Sequence, residues 1–379
     1  MPLVDYAPIA EEARPESPRW REAIPVILAV FIATRLILIL VALVVEFSIP
    51  IAHEPTTWDG RPILASLTGS DAIYYLGIAE EGYHLEPVKD DYHDWVFLPL
   101  YPAVARVAST VLLGDVVVAG ILAANLSFVG ALIALYRLGL PYLGHIRALR
   151  GVVLLAVAPG AVAFALPYSE SLFLLLSITA CLAAEQHRWR TMAALYALAS
   201  LSRLPGILLA IPLALLMARS CGPQPSRTYL WLLTGPASLG GFLLYLGWFT
   251  GDPLAYIHAQ EAWVIPTLIS GSSTGPTIVT TSPLPFLLLA TLIGYVFLFV
   301  FARVDRIPRE YLTVAVISVL TVFASGRLQS VGRYLAVAWP FSWTLAARRS
   351  DWFVVVWPIA SVGLFTIHAF LHFTQALAP

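Results

Sequence analysis

The sequence predicts an all-helical, multi-pass membrane protein, and two observations indicate this fold class. The 379 residues are 59% hydrophobic and only 12% charged, and the mean hydropathy is +0.80. Because so few charged side chains cannot cover a water-soluble globule, lipid must be the main solvent of this chain. The apolar runs are also too long and too unalternating for barrel strands, so helices are the spanning structure that remains.

Apolar windows place eleven candidate helices in one domain, residues 1–379, and we expect about ten or eleven to be transmembrane. The segments around Arg203 and Arg333 are shorter than the ~20 residues that cross a bilayer, so half-length or broken helices are expected there. Such breaks usually line a cavity. The candidates span 24–46, 116–138, 150–167, 171–185, 191–202, 204–218, 229–249, 284–302, 311–324, 333–347 and 352–373.

Basic residues orient these helices, since their clusters all fall on one side, which is the cytoplasmic side by the positive-inside rule. This requires segment 97–113 to be interfacial or re-entrant. The near absence of lysine (Lys89 is the only one) suggests a GC-rich prokaryote and hence its plasma membrane. The clusters are Arg14/Arg19/Arg21, Arg137/Arg147/Arg150, His187/Arg188/Arg190, Arg219/Arg227, Arg303/Arg306/Arg309 and Arg348/Arg349.

Two long loops face the opposite, non-cytoplasmic side. Loop 48–96 is rich in acidic residues, and loop 250–282 is polar. Loops of this length are uncommon unless they are functional, so we expect the active site on this face. A net charge of -1 without any long run of like charge argues against a nucleic-acid partner. The oligomeric state is not determined by the sequence.

The first loop contains a candidate catalytic carboxylate. The run GSDAIYYLGIAEEGYH predicts an amphipathic helix at the membrane surface, with Ser70 as N-cap and Asp71 in its first turn. Asp71 would stay ionised there and could accept a proton from an acceptor hydroxyl. The alternative is that Asp71 only caps its helix.

Three further charged residues stand at helix ends on the same face. Glu170 lies between two apolar segments, where a carboxylate needs an arginine or a substrate as partner; otherwise it is an ordinary loop acid. Arg203 and Arg333 are suited to binding phosphate, and the alternative is that they snorkel to the interface.

Other polar residues in the predicted helices receive no functional role. Arg35 lies inside the first helix and is expected to pair within the bundle. His368 and His372 are one helical turn apart without a third ligand, so no metal site is predicted.

Several of these segments resemble the PIG-V-like mannosyltransferases, relatives of the second GPI mannosyltransferase. The first block is Asp71-Ala-Ile-Tyr-Tyr-Leu-Gly-Ile-Ala-Glu-Glu-Gly-Tyr83, followed by Phe97-Leu-Pro-Leu-Tyr-Pro102. The later blocks follow in the family's order over roughly residues 60–345. They are Tyr168-Ser169-Glu170, Ser202-Arg203 with Gly206, Gly251-Asp252-Pro253 with Gln260 and Trp263, and Arg333-Tyr334 with Pro340.

The resemblance implies an inverting glycosyltransferase of the GT-C type, acting on the non-cytoplasmic face without a required metal or cofactor. Its donor would be a polyprenyl-phosphate sugar, typically mannose, and its acceptor a lipid, glycan or protein. Asp71 inherits the role of catalytic base. The candidate substrate-binding residues are Tyr75, Tyr83, Tyr168, Glu170, Arg203, Arg333 and Tyr334.

Two departures from the family pattern and two rival functions stay open. Ser70 stands where the family usually has tryptophan, and Leu98 replaces a second phenylalanine. A Trp58-Asp59 pair lies upstream, so Asp59 is the alternative base. A lipid-linked-sugar transporter or flippase would also be polytopic, but inverted repeats would be expected in it and none is apparent. A GT-C enzyme that uses another sugar is the second rival.

Overall fold

A computed structural model describes residues 20–48, 62–88, 92–221, 227–263, 307–325, 331–348 and 351–374. These residues form helices and loops without a β-sheet, so the predicted all-helical fold class is confirmed. Short 3₁₀ segments cover Asp94–Val96, Pro159–Phe164, Leu204–Leu209 and Arg227–Leu233. The helices are α1 Trp20–Ser48, α2 Pro62–Leu67, α3 Ala72–Glu81, α4 Leu100–Val111, α5 Val116–Ala156, α6 Glu170–Glu185, α7 Trp189–Ser202, α8 Ala210–Cys221, α9 Thr234–Thr250, α10 Ala255–Trp263, α11 Arg309–Ser325, α12 Val331–Ala336, α13 Pro340–Ala346 and α14 Asp351–Phe373.

Within the described residues, four helical stretches are long and apolar enough to cross a membrane. They are Arg21–Ser48, Val116–Ala156, Arg227–Thr250 and Val355–Phe373. The chain is therefore an integral membrane protein. The expected ten or eleven crossings stay a prediction, and the predicted helix 284–302 lies outside the described residues.

Helix α1 carries the surface expected of a segment in contact with lipid. Leu36, Leu40 and Phe47 are 61%, 62% and 83% exposed, while Ile27 and Ala42 on the same helix are buried in the core. In water such an exposed apolar surface would be unfavourable, but hydrocarbon solvates it. The helix thus presents one face to lipid and another to the bundle.

The two regions predicted to hold broken helices do so. The 14-residue α7 ends at Ser202, and after its extended C-cap Arg203 the chain continues as the 3₁₀ segment Leu204–Leu209. Arg333 lies in the six-residue α12. At 1.5 Å per residue, a 14-residue helix covers about 21 Å of a core about 30 Å thick. Irregular backbone at this depth is tolerated where it is buried in protein or lines a cavity.

A third break separates α5 from α6. Helix α5 begins at its N-cap Asp115, whose side chain accepts from the backbone N–H of Val118 at 3.0 Å. It changes direction at Gly144, where φ is 74°, a value in the left-handed region that favours glycine. After α5 the chain forms the 3₁₀ segment Pro159–Phe164 and enters α6 at Glu170, so this irregular stretch delivers the polar residues 168–170.

Helix α3 is present as predicted, but its start and its environment differ from the sequence-based expectation. Ser70 is not the N-cap; it has a positive φ of 58°, and the N-cap position is taken by Asp71, which makes no capping hydrogen bond. Tyr74, Tyr75 and Leu76 are buried, and the helix packs on α4 and α5. Its apolar residues therefore face protein rather than lipid.

Candidate functional site

Four charged side chains from distant parts of the sequence meet where these helix ends converge. Asp71 precedes α3, and Glu170 is the first residue of α6. Arg203 follows α7, and Arg333 lies in α12. Their side chains are 17%, 1%, 10% and 6% exposed, in that order. We call these four residues the charged cluster.

Arg333 bridges the two carboxylates of the charged cluster. Its Nη1 is 2.5 Å from Asp71 Oδ2, and its Nε is 3.1 Å from Glu170 Oε1. Glu170 Oε1 also forms an ion pair with Nη1 of Arg203. Negative and positive groups therefore alternate along the cluster and their formal charges sum to zero, which is the condition under which charges can be buried in a membrane protein.

This geometry argues against the capping, loop-acid and snorkelling alternatives for these residues, and their roles in a reaction stay predictions. Asp71 does not cap its helix, because its carboxylate turns to Arg333. Glu170 is buried between two guanidinium groups rather than lying at a water boundary. Arg203 and Arg333 point into the protein, so they do not snorkel to the interface.

Two tyrosines form the aromatic wall of the charged cluster. The ring centre of Tyr334 lies 5.4 Å from the guanidinium carbon of Arg203 and 5.4 Å from that of Arg333. Tyr168 lies 5.4 Å from the Arg333 guanidinium, and its hydroxyl donates to the Gly69 carbonyl at 3.3 Å. Cation–π contact of this kind holds a guanidinium plane in place without using its N–H donors.

The two remaining predicted tyrosines differ in their relation to the charged cluster. The Tyr75 hydroxyl is 2.7 Å from the Ser169 hydroxyl, and Ser169 accepts from Arg203 Nη1 at 3.5 Å. Tyr75 thus reaches the cluster through one intermediate residue. Tyr83 instead donates to the Phe97 carbonyl at 2.6 Å and braces the loop after α3.

A close backbone approach places Arg333. A Cβ on Gly160 would lie 1.9 Å from the carbonyl oxygen of Gly332, and a Cβ on Gly332 would lie 2.6 Å from His368 Cε1. Only glycine fits at position 160, because a side chain there would force the two segments apart, whereas a side chain at position 332 would first displace the His368 ring. The 3₁₀ segment 159–164 and α12 can therefore touch directly, which brings Arg333 to Asp71.

The loop that follows α3 is closed by its own polar cluster. His84 Nδ1 is 2.9 Å from Asp94 Oδ2, and His84 Nε2 is 2.8 Å from Glu81 Oε2. These hydrogen bonds, first that to Asp94, raise the pKa of His84 above its usual range. Burial raises the pKa of Asp94. Trp95 Nε1 donates to the His84 carbonyl at 2.6 Å, so the cluster fixes the loop backbone.

Some predicted features receive no support or lie outside the described residues. Asp59, the alternative base, and most of loop 250–282 lie outside them. His368 and His372 are buried in α14. In the part of the chain that the structure describes, no group of three or more His, Cys, Asp or Glu side chains is arranged to hold a metal ion.

Sequence reasoning missed two residues of this region. Ser169 stands between the predicted Tyr168 and Glu170, and it links Tyr75 to Arg203. Asn125 lies inside α5 and received no role in the sequence analysis, yet its amide donates to the Ala165 carbonyl, in the backbone that leads to the charged cluster. An amide facing a broken helix in a transmembrane segment was the signal that could have identified it.

Comparison with protein families gives one match over this region. Residues 56–221 match the family model described as mannosyltransferase (PIG-V). The match confirms the resemblance seen in the sequence motifs, and it includes Asp71, Glu170 and Arg203. Arg333 lies outside it. Curated proteins give no match.

Among the solved structures that are similar to this chain, three come from the same protein. They are structures of the Archaeoglobus fulgidus oligosaccharyltransferase: tethered with an acceptor peptide, in complex with zinc and sulfate, and in the apo form. Sequence identity is 14% in each case, and the TM-scores are 0.49, 0.42 and 0.44. The alignments cover 92%, 91% and 91% of this chain and 55%, 53% and 56% of the other. The chain therefore spans about half the length of that protein.

Proposed function

We propose that this protein is a GT-C-type inverting glycosyltransferase that moves a hexose, mannose in our proposal, from a polyprenyl phosphate to an acceptor on the non-cytoplasmic face. The observation that carries the proposal is the charged cluster, which sets one accessible carboxylate beside two buried arginines. The family match over residues 56–221 supports sugar transfer as the reaction class. The acceptor is a lipid, glycan or protein.

Asp71 is the base in this proposal. It is the most exposed member of the charged cluster, and only its Oδ2 is held by Arg333. Oδ1 makes no hydrogen bond within the described residues and is free to take the proton of an acceptor hydroxyl. The acceptor oxygen then attacks the anomeric carbon while the bond from that carbon to the phosphate oxygen breaks, and the phosphate leaves with the electron pair.

Glu170 is unsuited to the same role. Its side chain is 1% exposed and lies between Arg203 and Arg333. A carboxylate that pairs with two guanidinium groups cannot meet an acceptor hydroxyl without breaking both pairs. Its task in the proposal is to hold the two arginines at a fixed separation.

Arg203 and Arg333 stabilise the departing phosphate. Each uses part of its guanidinium fork on carboxylates, and Nη2 of each makes no hydrogen bond in the described part of the chain. Because the cluster is neutral before the donor binds, an incoming phosphate competes with the carboxylates for these N–H groups. Where it displaces Asp71 from Arg333, the base is released next to the reacting carbon. Phosphate is a good leaving group, so no separate general acid is needed.

A transfer assay with a defined donor tests this proposal. The purified protein in detergent or nanodiscs receives a labelled short-chain polyprenyl-phosphate mannose together with membrane lipids or glycan acceptors. A parallel reaction with GDP-mannose, and without any polyprenyl phosphate, is the control for the donor class. We expect label to enter a new glycoside from the lipid-linked donor alone.

Three other outcomes separate the rival functions. Transfer from a polyprenyl-phosphate glucose or arabinose, and not mannose, would overturn the sugar and keep the reaction class. Movement of intact donor across the bilayer without a new glycosidic bond would favour the transporter or flippase. Transfer from GDP-mannose alone would contradict the proposed donor class.

A further inference from the structure

Arg35 is a cation deep in α1 that the proposed reaction does not use. It lies 15 residues after the first residue of α1, Trp20, and 13 before the last, Ser48, which places it about 20 Å from either end at 1.5 Å per residue. A charged side chain at this depth is costly and is retained only for a purpose.

The contacts of Arg35 are all with neutral groups. Its Nε donates to Asn125 Oδ1 at 2.6 Å and its Nη2 to the Phe164 carbonyl at 3.1 Å. Its guanidinium carbon lies 4.7 Å from the ring centre of Phe31 and 4.9 Å from that of Phe128. Among the described residues no carboxylate lies within ion-pair distance of Arg35. Its role is therefore hydrogen bonding to backbone and amide groups rather than neutralising an acid.

These hydrogen bonds fall on the break between α5 and α6. Phe164 is the last residue of the 3₁₀ segment, and Ala165 follows it. Arg35 bonds the first of these carbonyls, and Asn125 Nδ2 bonds the second at 3.2 Å. Because Arg35 also holds Asn125, the two side chains act as one unit. Carbonyls freed by a broken helix have no water to bond at this depth, so the unit supplies their donors.

The same break leads straight into the charged cluster. The Phe164 carbonyl that accepts from Arg35 also accepts from the Ser171 hydroxyl at 3.0 Å, and Ser171 is the neighbour of Glu170. Tyr168 and Glu170 follow Ala165 by three and five residues. A shift of this backbone would move Glu170, and with it the two arginines that Glu170 holds.

We propose that Arg35, acting through Asn125 and the Phe164 carbonyl, is a positioning residue for Glu170 and its arginine partners. The inference rests on the proposed function for its kinetic part. Its structural part, a brace on residues 164–171, is independent of which reaction the cluster performs.

The kinetic test compares Arg35→Met, Arg35→Lys and Asn125→Asp with the wild type, and uses Leu36→Ala, on the lipid-exposed side of α1, as matched control. Displaced arginines should raise the donor KM and lower kcat, so donor kcat/KM should fall on the order of 10- to 100-fold while the acceptor KM is unchanged. Arg35→Lys keeps the charge but has no planar fork, so it should recover only part of the activity. Asn125→Asp would give Arg35 a counter-ion but remove the amide donor to Ala165.

These variants separate positioning from a general loss of folded protein. A purely structural role would reduce the fraction of active protein and leave both KM values unchanged. Full activity of Asn125→Asp would show that Arg35 needs only charge compensation, and it would overturn the inference.

Hydrogen exchange of residues 165–173 provides the readout that does not need activity. We expect faster exchange there in Arg35→Met, or in Arg35→Lys if the first variant does not fold, and no change in Leu36→Ala. Unchanged exchange would show that Arg35 does not hold residues 164–171 in place, and it would overturn the structural part of the inference. The two parts of the inference can fail separately. If exchange is faster in Arg35→Met but the wild type transfers no sugar, the structural role of Arg35 stands and the proposed function is contradicted.

Discussion

At the scale of single residues, the most consequential contact is the bridge that Arg333 forms between two carboxylates. A guanidinium can donate to Asp71 through Nη1 and lie within ion-pair distance of Glu170 through Nε at once because its N–H groups form a rigid fork. An ammonium is a single point of charge on a flexible stem. Replacing one by the other keeps the charge and removes the bridge.

Arg333→Lys should therefore lower kcat/KM for the donor by about 10²-fold, the order seen when one transition-state donor is lost. Steady-state kinetics with varied donor concentration measures this. Arg188→Lys, on an exposed side chain next to α7, is the matched control and should behave as the wild type. Wild-type kinetics in Arg333→Lys would show that charge alone suffices at this position.

A second prediction at this scale concerns pH and the loop after α3. The hydrogen bonds to Asp94 and Glu81 raise the folded-state pKa of His84. The stabilisation that these hydrogen bonds give the folded loop is fully present below the ordinary histidine pKa of about 6.5. It is lost as the pH rises through the raised pKa of folded His84. The raised pKa of Asp94 has the same sign, since the folded loop binds protons more tightly there too.

Exchange protection of residues 82–88 and 92–97 should consequently fall as pH rises past the folded-state pKa of His84. His84→Gln should remove most of this dependence, and hydrogen exchange across a pH series checks both. Protection that increases with pH in the wild type would contradict the assignment.

At the scale of secondary-structure elements, the site depends on two backbones touching without side chains. The 3₁₀ segment 159–164 meets α12 at Gly160 and Gly332. Gly160→Ala would place a Cβ 1.9 Å from the Gly332 carbonyl oxygen, so α12 must move and carry Arg333 away from Asp71.

We expect Gly160→Ala to abolish transfer and to destabilise the fold by about 1–3 kcal/mol, as overpacking usually does. Gly240→Ala in α9 is the matched control, because a Cβ there meets nothing within 4 Å and alanine is the better helix former. Thermal unfolding in detergent and the transfer assay measure the two effects. Normal activity in Gly160→Ala would mean that the contact does not place Arg333.

The elements themselves were largely predictable from sequence, while the contacts between them were not. Apolar windows gave α1, α6, α7, α11 and α14 within a few residues, because lipid requires long apolar helices with satisfied backbones. They also indicated the breaks at Arg203 and Arg333. The prediction that Ser70 is the N-cap of α3 was wrong. Its left-handed backbone depends on the fold around it, whereas the prediction used only the capping preference of serine.

For the candidate site, the sequence predicted which charged residues stand at helix ends, but it did not predict which carboxylate pairs with which arginine. Charges at helix ends in an apolar sequence identified Asp71, Glu170, Arg203 and Arg333. Which carboxylate holds which arginine depends on how α3, α6, α7 and α12 pack, and no sequence spacing encodes that. Arg35 was expected to pair within the bundle, and it does, with neutral partners.

At the scale of the whole molecule, a second polar cluster lies at the other end of α6 from Glu170. Glu185 ends that helix and accepts hydrogen bonds from Tyr142 at 2.6 Å, from Tyr311 and from Arg219. These partners come from α5, α11 and α8, so one carboxylate joins four helices. It contributes to stability and takes no part in the proposed chemistry.

Glu185→Gln should lower the free energy of unfolding by about 1–3 kcal/mol, since it weakens several charge-assisted hydrogen bonds. Donor and acceptor KM should not change at a temperature where the variant is folded. Glu261→Gln, on an exposed side chain of α10, should leave the thermal midpoint unchanged. A large change of KM in Glu185→Gln would show that the two ends of α6 are coupled.

Asp71 activates the acceptor in the proposed sugar transfer, and its amide variant tests that role against a matched control. Transfer of labelled mannose from a short-chain polyprenyl phosphate is measured for the wild type, for Asp71→Asn and for Glu80→Gln, an exposed carboxylate on the same helix α3. We expect Asp71→Asn to fold and insert but to lose transfer by about 10²-fold or more, while Glu80→Gln matches the wild type. Transfer retained in Asp71→Asn would contradict that role.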